Sequence, residues 1–195
     1  MNQQKLTQTD IDQHLEQLKQ LGTSYVAHRN GTLFKHLQGV WTLLEDWNNP
    51  APVCLAGLYH SVYGTGGFEQ QLIPLEMRHE IASMIGNEAE HLVYLFAACD
   101  RPLTHPRIGK QTPLQFHDRF DDQDYPLQES DWKALCEILL ANELDLGRYD
   151  SAFYKKHLAH YGDLFTRFEP WLSTSAIQTR HDFEQLLSVT KPENK

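Results

Sequence analysis

The chain has 195 residues, with 17 Lys and Arg against 26 Asp and Glu, a formal charge of −9, 41% hydrophobic and 22% charged residues. That size and mix suit one globular domain with a core that needs no disulfide or metal staple. So acidic a balance excludes an overall electrostatic footprint for nucleic acid or an anionic membrane, and leaves room for a local basic pocket that takes a small anion.

The start, MNQQKLTQTD, has no basic stretch followed by an apolar run, so no signal peptide is read there. No apolar run reaches the roughly 18 residues of a membrane span. Cys54, Cys99 and Cys136 are far apart and form no CxxC pair. Buried free thiols in a reducing cytoplasm are therefore expected.

Helical spacing recurs along almost the whole chain. Residues 9–21 set Ile11, Leu15 and Leu18 on one face, with Thr9 or Asp10 as the cap and Gly22 as the stop. Residues 32–47 repeat the pattern with Leu33, Leu37, Val40, Leu44 and Trp47. Pro50 and Pro52 open a helix over 52–63 that is apolar on nearly every side, which predicts a central buried element.

A shorter helix over 74–85 stops at Gly86, and Asn87-Glu88-Ala89-Glu90 predicts a capping box for the next. Residues 101–129 carry four prolines and predict one long ordered loop, with room for a short strand in TPLQFHDRF. Helices follow over 130–146, 151–168 and 175–188. The expected architecture is an all-α bundle forming a single helical domain over 1–190, with a frayed tail over 191–195.

Histidines sit where apolar residues would be expected. Leu33 and Val40 flank His36 at i−3 and i+4, so His36 points inward. His60 ends the apolar run Val53–Tyr59, and Asp100 closes a third apolar helix. Each alone suits a hydrogen-bonded interior residue. Together, two histidines and a carboxylate are the donor set of a mononuclear metal site for Mn, Fe or Zn.

Four stretches carry a resemblance. GTLFKH places His36 after a Gly-Thr turn; LYHSVYGT contains His60; MIGNEAEHLV follows; AACDR contains Asp100. Their order resembles the HD superfamily of metal-dependent phosphohydrolases, nearest the guanosine tetraphosphate hydrolase type. That family has a Gly-Thr turn, L-L-H-D-hydrophobic-hydrophobic-E-D-T, F-G-x-x-V-x-x-L-V and L-A-D-R.

The resemblance implies an HD-like bundle and a divalent metal (Mn, Fe or Zn) at His36, His60 and Asp100. It implies His28 and Arg29 against a small anionic substrate; Arg78 and Arg119 are further substrate-binding candidates, and Tyr63 and Arg101 are catalytic candidates. The chain departs from the pattern at Ser61, where the family has the ligand aspartate, and at Tyr63-Gly64, where it has the water-activating Glu-Asp pair. Asp100 also follows His60 more closely than the family's last ligand does.

The HSVYGT string is also similar to the signature of a domain family of bacteria and plants. That likeness includes His28, GTLFKHL, VCLAGLYHSVYGT, the Arg78 helix and ANELDL, and it implies no reaction.

Other residues carry weaker signals. Gly64, Gly66 and Gly67 form a flexible turn beside His60, and Arg107, Lys110 and Arg119 are a candidate anion-binding lid. His117-Asp118 is read as a decoy of the His-Asp pair, and His157 and His160 as surface residues. Glu137, Asn142 and Glu143 are candidates to replace the missing aspartate. Three functions are expected from these features. The first is a metal-dependent hydrolase of a small phosphorylated or nucleotide substrate. The others are a mononuclear non-haem iron oxygenase and a non-catalytic ligand-binding or interaction domain.

Overall fold

The computed structural model describes residues 5–28, 31–111 and 113–189, with the side chains of 153, 158–160 and 189 outside the description. Arg29 and the tail over 191–195 lie outside the described residues.

Helix α1 spans Gln8–Gln20. Its cap is Thr7, two or three residues earlier than the sequence suggests. Thr7 accepts from the Asp10 amide while the Asp10 carboxylate accepts from the Thr7 amide, a reciprocal capping box. A two-residue hairpin, β1 (Ala27–His28) with β2 (Gly31–Thr32), leads into α2 (Leu33–Asp46), capped by the Thr32 hydroxyl.

Helix α3 (Ala51–Tyr59) starts after Pro50 and is buried from Val53 to Tyr59. It ends four residues sooner than its apolar run predicts. His60 is its C-cap, and the chain turns so that Gly64 takes φ +71° with Glu69 and Phe68 carbonyls packed against it. A side chain at Gly64 would meet both the left-handed backbone penalty and those carbonyls.

A 3-10 turn over Leu75–Met77 leads into α4 (Arg78–Ile85), and α5 spans Asn87–Ala98. The capping box expected at Asn87–Glu90 does not form. Gly86 is the cap residue, and the Glu90 carboxylate turns inward to Arg78 and Tyr63 instead of back to the helix end.

The expected long loop is more structured than its prolines suggest. It contains a short helix α6 (Arg101–Thr104), a 3-10 turn over His105–Arg107, and the antiparallel hairpin β3 (Gln115–Asp118) with β4 (Gln123–Pro126). The short strand expected in TPLQFHDRF is β3. It also bonds the end of α5, through Asp100 N–H to the His117 carbonyl and Arg119 N–H to the Ala98 carbonyl. That pairing fixes where α6, and with it Arg101, begins.

Helices α7 (Glu129–Tyr149), α8 (Ser151–Phe168) and α9 (Thr174–Val189) complete the mostly α-helical fold. Helix α7 packs on α2, α3, α5, α8 and α9, so it is the hub of the bundle. Helix α2 lies close along α3 because Gly57 has no side chain to block Leu44. The core between them includes Leu37, Val40, Leu44, Leu58, Ile138 and Leu140. Each fully buried Leu or Val contributes about 1.5–3 kcal/mol relative to exposure. No helix among the described residues is long and apolar enough to cross a membrane.

Candidate functional site

Three histidines from three elements meet at the end of α3. His36 comes from α2, His60 from the cap of α3 and His28 from β1. The His28 and His36 rings lie 4.6 Å apart, and the edge-on His36 and His60 rings 5.2 Å apart. Phe68 packs edge-on against His28 and Phe96 against His60. His36 and His60 are almost wholly buried, at 3% and 1% exposure. Buried polar groups of this kind need partners.

Helix α7 supplies partners for His36. Asp145 Oδ2 is 2.7 Å from His36 Nδ1, and Asn142 Oδ1 is 3.1 Å from Nε2. The Asn142 amide donates to Glu143 Oε1 at 3.1 Å, which fixes its orientation with the oxygen toward His36. Both ring nitrogens of His36 therefore face acceptors. Asp145 is thus the buried carboxylate partner of His36. Gly39 on α2 makes this possible, since a Cβ there would overlap the Asp145 carboxylate.

His60 is held by a backbone group instead. Its Nδ1 lies 2.7 Å from the Gly57 carbonyl, so Nδ1 carries the proton and Nε2 is the bare nitrogen. Burial first, and the neighbouring His36 second, hold its pKa well below the ordinary histidine range. His60 is neutral at physiological pH.

Two clefts open beside this cluster. The smaller, about 180 Å³, is lined by His28, Ser61, Thr65, Phe68 and Asn142. The larger, about 400 Å³, is lined by His105, Lys110, Leu139, Leu164 and Arg167. Arg101, Glu143 and Tyr161 line both, so they form the wall between the two. In that wall an Arg101 guanidinium nitrogen stands 3.6 Å from Glu143 Oε1, and the guanidinium lies 5.3 Å from the Phe96 ring centre.

The structure thus brings together His28, His36, His60 and Arg101 from the sequence-derived site. Asp100 is occupied elsewhere: its carboxylate caps α6, accepting from the Leu103 amide at 2.9 Å. Among the described residues, no group of three or more His, Cys, Asp or Glu side chains is disposed to hold a metal ion.

Tyr63 and Arg78 form a separate cluster. The Tyr63 hydroxyl donates to Glu90 Oε1 at 2.9 Å, and Arg78 donates to both Glu90 oxygens at 2.7 and 2.9 Å. Burial and the Glu90 carboxylate push the Tyr63 phenol upward. Arg78 lies 3.8 Å from the Tyr94 ring centre, and the Tyr94 hydroxyl donates to Asp118. Arg119 donates to the Ala97 carbonyl at 2.7 Å and covers the Phe120 ring.

The weaker signals divide in the same way. Asn142 and Glu143 reach the histidine cluster, whereas Glu137 bonds Asn49 and the Ser173 amide. Lys110 lines the larger cleft, while Arg107 pairs with Asp124. His117 bridges Asp124 and Asp122, first the one and then the other raising its pKa, and Asp118 is buried under Tyr94. The partner missed from sequence is Asp145. Its signal lies in LLANELDL, where Asn142 and Asp145 stand three apart within an apolar helix.

Residues 17–101 match a domain family described as a domain of unknown function, DUF6817. Searches of curated proteins and of solved structures give no match. The matched segment contains His28, His36 and His60, and ends at Arg101. Asn142, Glu143 and Asp145 on α7 lie beyond it.

Proposed function

We propose that this chain is a binding domain for a small anionic molecule, built on an HD-like frame in which hydrogen bonds occupy the places of metal ligands. The observation that carries the reading is His36. Its two nitrogens face Asp145 and Asn142 at 2.7 and 3.1 Å, so both already have hydrogen-bond partners within the protein.

The tertiary contact also suggests which residue answers to the family's last ligand. Asn142 faces His36, and it stands in Leu140-Ala141-Asn142-Glu143, a better spatial counterpart of the L-A-D-R motif than the stretch at Asp100. On that correspondence both carboxylate ligands are replaced, one by Ser61 and one by Asn142. A neutral amide and a hydroxyl are poor donors for a divalent cation compared with carboxylates. As arranged, the residues do not fit the metal that the resemblance implies. The polar groups of the smaller cleft are suited to hydrogen-bond a ligand, and Arg101 in its wall supplies positive charge for an anion.

A metal-dependent hydrolase, or an iron oxygenase on the same donors, is the second reading, and His60 is the observation in its favour. A histidine that donates Nδ1–H to a backbone carbonyl and keeps Nε2 bare is oriented as metal-binding histidines are.

Elemental analysis separates the two. Protein purified without chelator and with oxygen excluded is expected to contain no stoichiometric Mn, Fe or Zn. Binding of small phosphate esters by calorimetry is expected to be unchanged by EDTA. Near-stoichiometric metal in the wild type, absent from His60→Ala, would overturn the binding-domain reading in favour of the enzyme.

A further inference from the structure

The larger cleft is basic in a chain of formal charge −9. Arg101, Lys110 and Arg167 converge on its walls, with His105 beside them. Their local counter-charges are few. Arg167 pairs through Nε with Asp163, at 3.1 Å, and spends another nitrogen on the His105 and Ile108 carbonyls, which makes it a fixed part of the wall. Arg101 meets Glu143 at the long distance of 3.6 Å, a loose pair that a better acceptor can displace. Lys110 makes no ion pair among the described residues. It is an exposed, movable ammonium at the rim.

Aliphatic side chains also line this cleft, from Pro102, Pro106, Leu139 and Leu164. A cleft that combines cations with aliphatic surface suits an organic anion, its charged end on the cations and the adjoining carbon atoms against apolar neighbours. Arg101 and Glu143 also line the smaller cleft, so one ligand can reach both.

We infer that the larger cleft is an anion subsite for an organic phosphate monoester, with Arg101 and Lys110 on the phosphate and the rest of the molecule extending past Arg101 into the smaller cleft. The inference rests on the binding-domain reading for the second half of that path, and on the larger cleft alone for the first. A phosphate dianion draws Arg101 from Glu143 and takes up the Lys110 charge. A neutral ligand of the same shape gains neither.

The test uses the full chain and phenyl phosphate as the probe, followed by calorimetry at low ionic strength. Lys110→Glu is exposed and leaves the core untouched. Gly67→Leu fills the smaller cleft, where a Cβ has only Arg101 within reach, at 3.9 Å. Lys110→Glu is expected to weaken the probe roughly tenfold or more through charge reversal, and benzyl alcohol is expected not to bind. Weakening by both variants supports the whole path. Weakening by Gly67→Leu alone overturns the anion subsite and leaves the binding-domain reading standing. Weakening by Lys110→Glu alone keeps the subsite and removes the smaller cleft from the ligand's path. No phenyl phosphate binding by the wild type at millimolar concentration overturns the inference outright.

Discussion

Two buried polar clusters meet the end of α3, one at His60 and one at Tyr63, and they use charge differently. At Glu90 every group closes on another: Tyr63 and Arg78 saturate the carboxylate, Tyr94 covers the guanidinium and Asp118 takes the Tyr94 hydroxyl. At His36 the bonded pair continues through Asn142 and Glu143 to Arg101, and that end borders two clefts. The first cluster locks α4 to α5 and to the turn after α3. The second leaves a loosely held cation beside open space. The difference teaches that a buried charge with a complete set of partners marks architecture. A chain of partners that ends at a cleft marks a candidate site.

The largest expected effect breaks the His36 cluster at its carboxylate partner. Asp145→Ala leaves the buried His36 Nδ1 without its partner and is expected to cost about 1–3 kcal/mol in urea unfolding, with a cavity in place of the carboxylate. A loss under about 1 kcal/mol would mean that the His36–Asp145 contact does not hold the two helices together.

Gly39→Ala sharpens the same point from the other helix. Ala normally improves a helix interior by about 1 kcal/mol over Gly. Here its methyl would strike the Asp145 carboxylate, and a net loss of about 2 kcal/mol is expected from overpacking. A stabilised variant would show that Asp145 lies elsewhere.

Tyr63→Phe probes the other cluster. It removes one donor from Glu90 while Arg78 keeps both carboxylate oxygens, so about 1–2 kcal/mol is expected. Its effect on phenyl phosphate affinity should be nil, since Tyr63 faces Glu90. A change in affinity without a change in stability would join the two clusters functionally.

The pH dependence of stability reads His60 of the histidine cluster against His117 of the β3–β4 hairpin. His60 and His14 both have folded pKa values lowered, by burial first in each case. Below about pH 6.5 the unfolded chain takes up protons that the folded chain does not. These groups therefore make stability fall as pH drops through that value toward their folded pKa. His60→Gln should flatten the slope between pH 6.5 and 5, read from urea midpoints across that range. His117 has the opposite sign. Its raised pKa gives stability that is complete below the ordinary histidine value and is lost as pH rises through the folded one. His117→Gln should remove that smaller decline, and an unchanged profile would mean the Asp122 and Asp124 contacts are not ionic.

The inward placement of His36 and His60 was legible in the sequence, because an imidazole on an apolar helical face is visible from spacing alone. The sequence marked Asp100 for a poor reason. A carboxylate at the end of an apolar helix is as useful for capping the next helix, and Asp100 does that for α6. Glu90 misled in the same way: a capping-box position by spacing, it turns inward because Arg78 and Tyr63 lie there. Tyr63 and Arg101 differ for a similar reason. Both neighbour a motif residue in the chain, but only Arg101 begins a new helix that turns its side chain into the clefts.

The helices, their order and the inward histidines were determined by the sequence itself, since period, caps and prolines act over a few residues. Only the tertiary structure decided the partners of those histidines. Asn142 and Asp145 meet His36 across more than a hundred residues of chain, and Gly39 on α2 is what lets that approach happen. Pairing at that distance depends on how α7 lies against α2, a matter of packing volume and helix approach that local patterning does not encode.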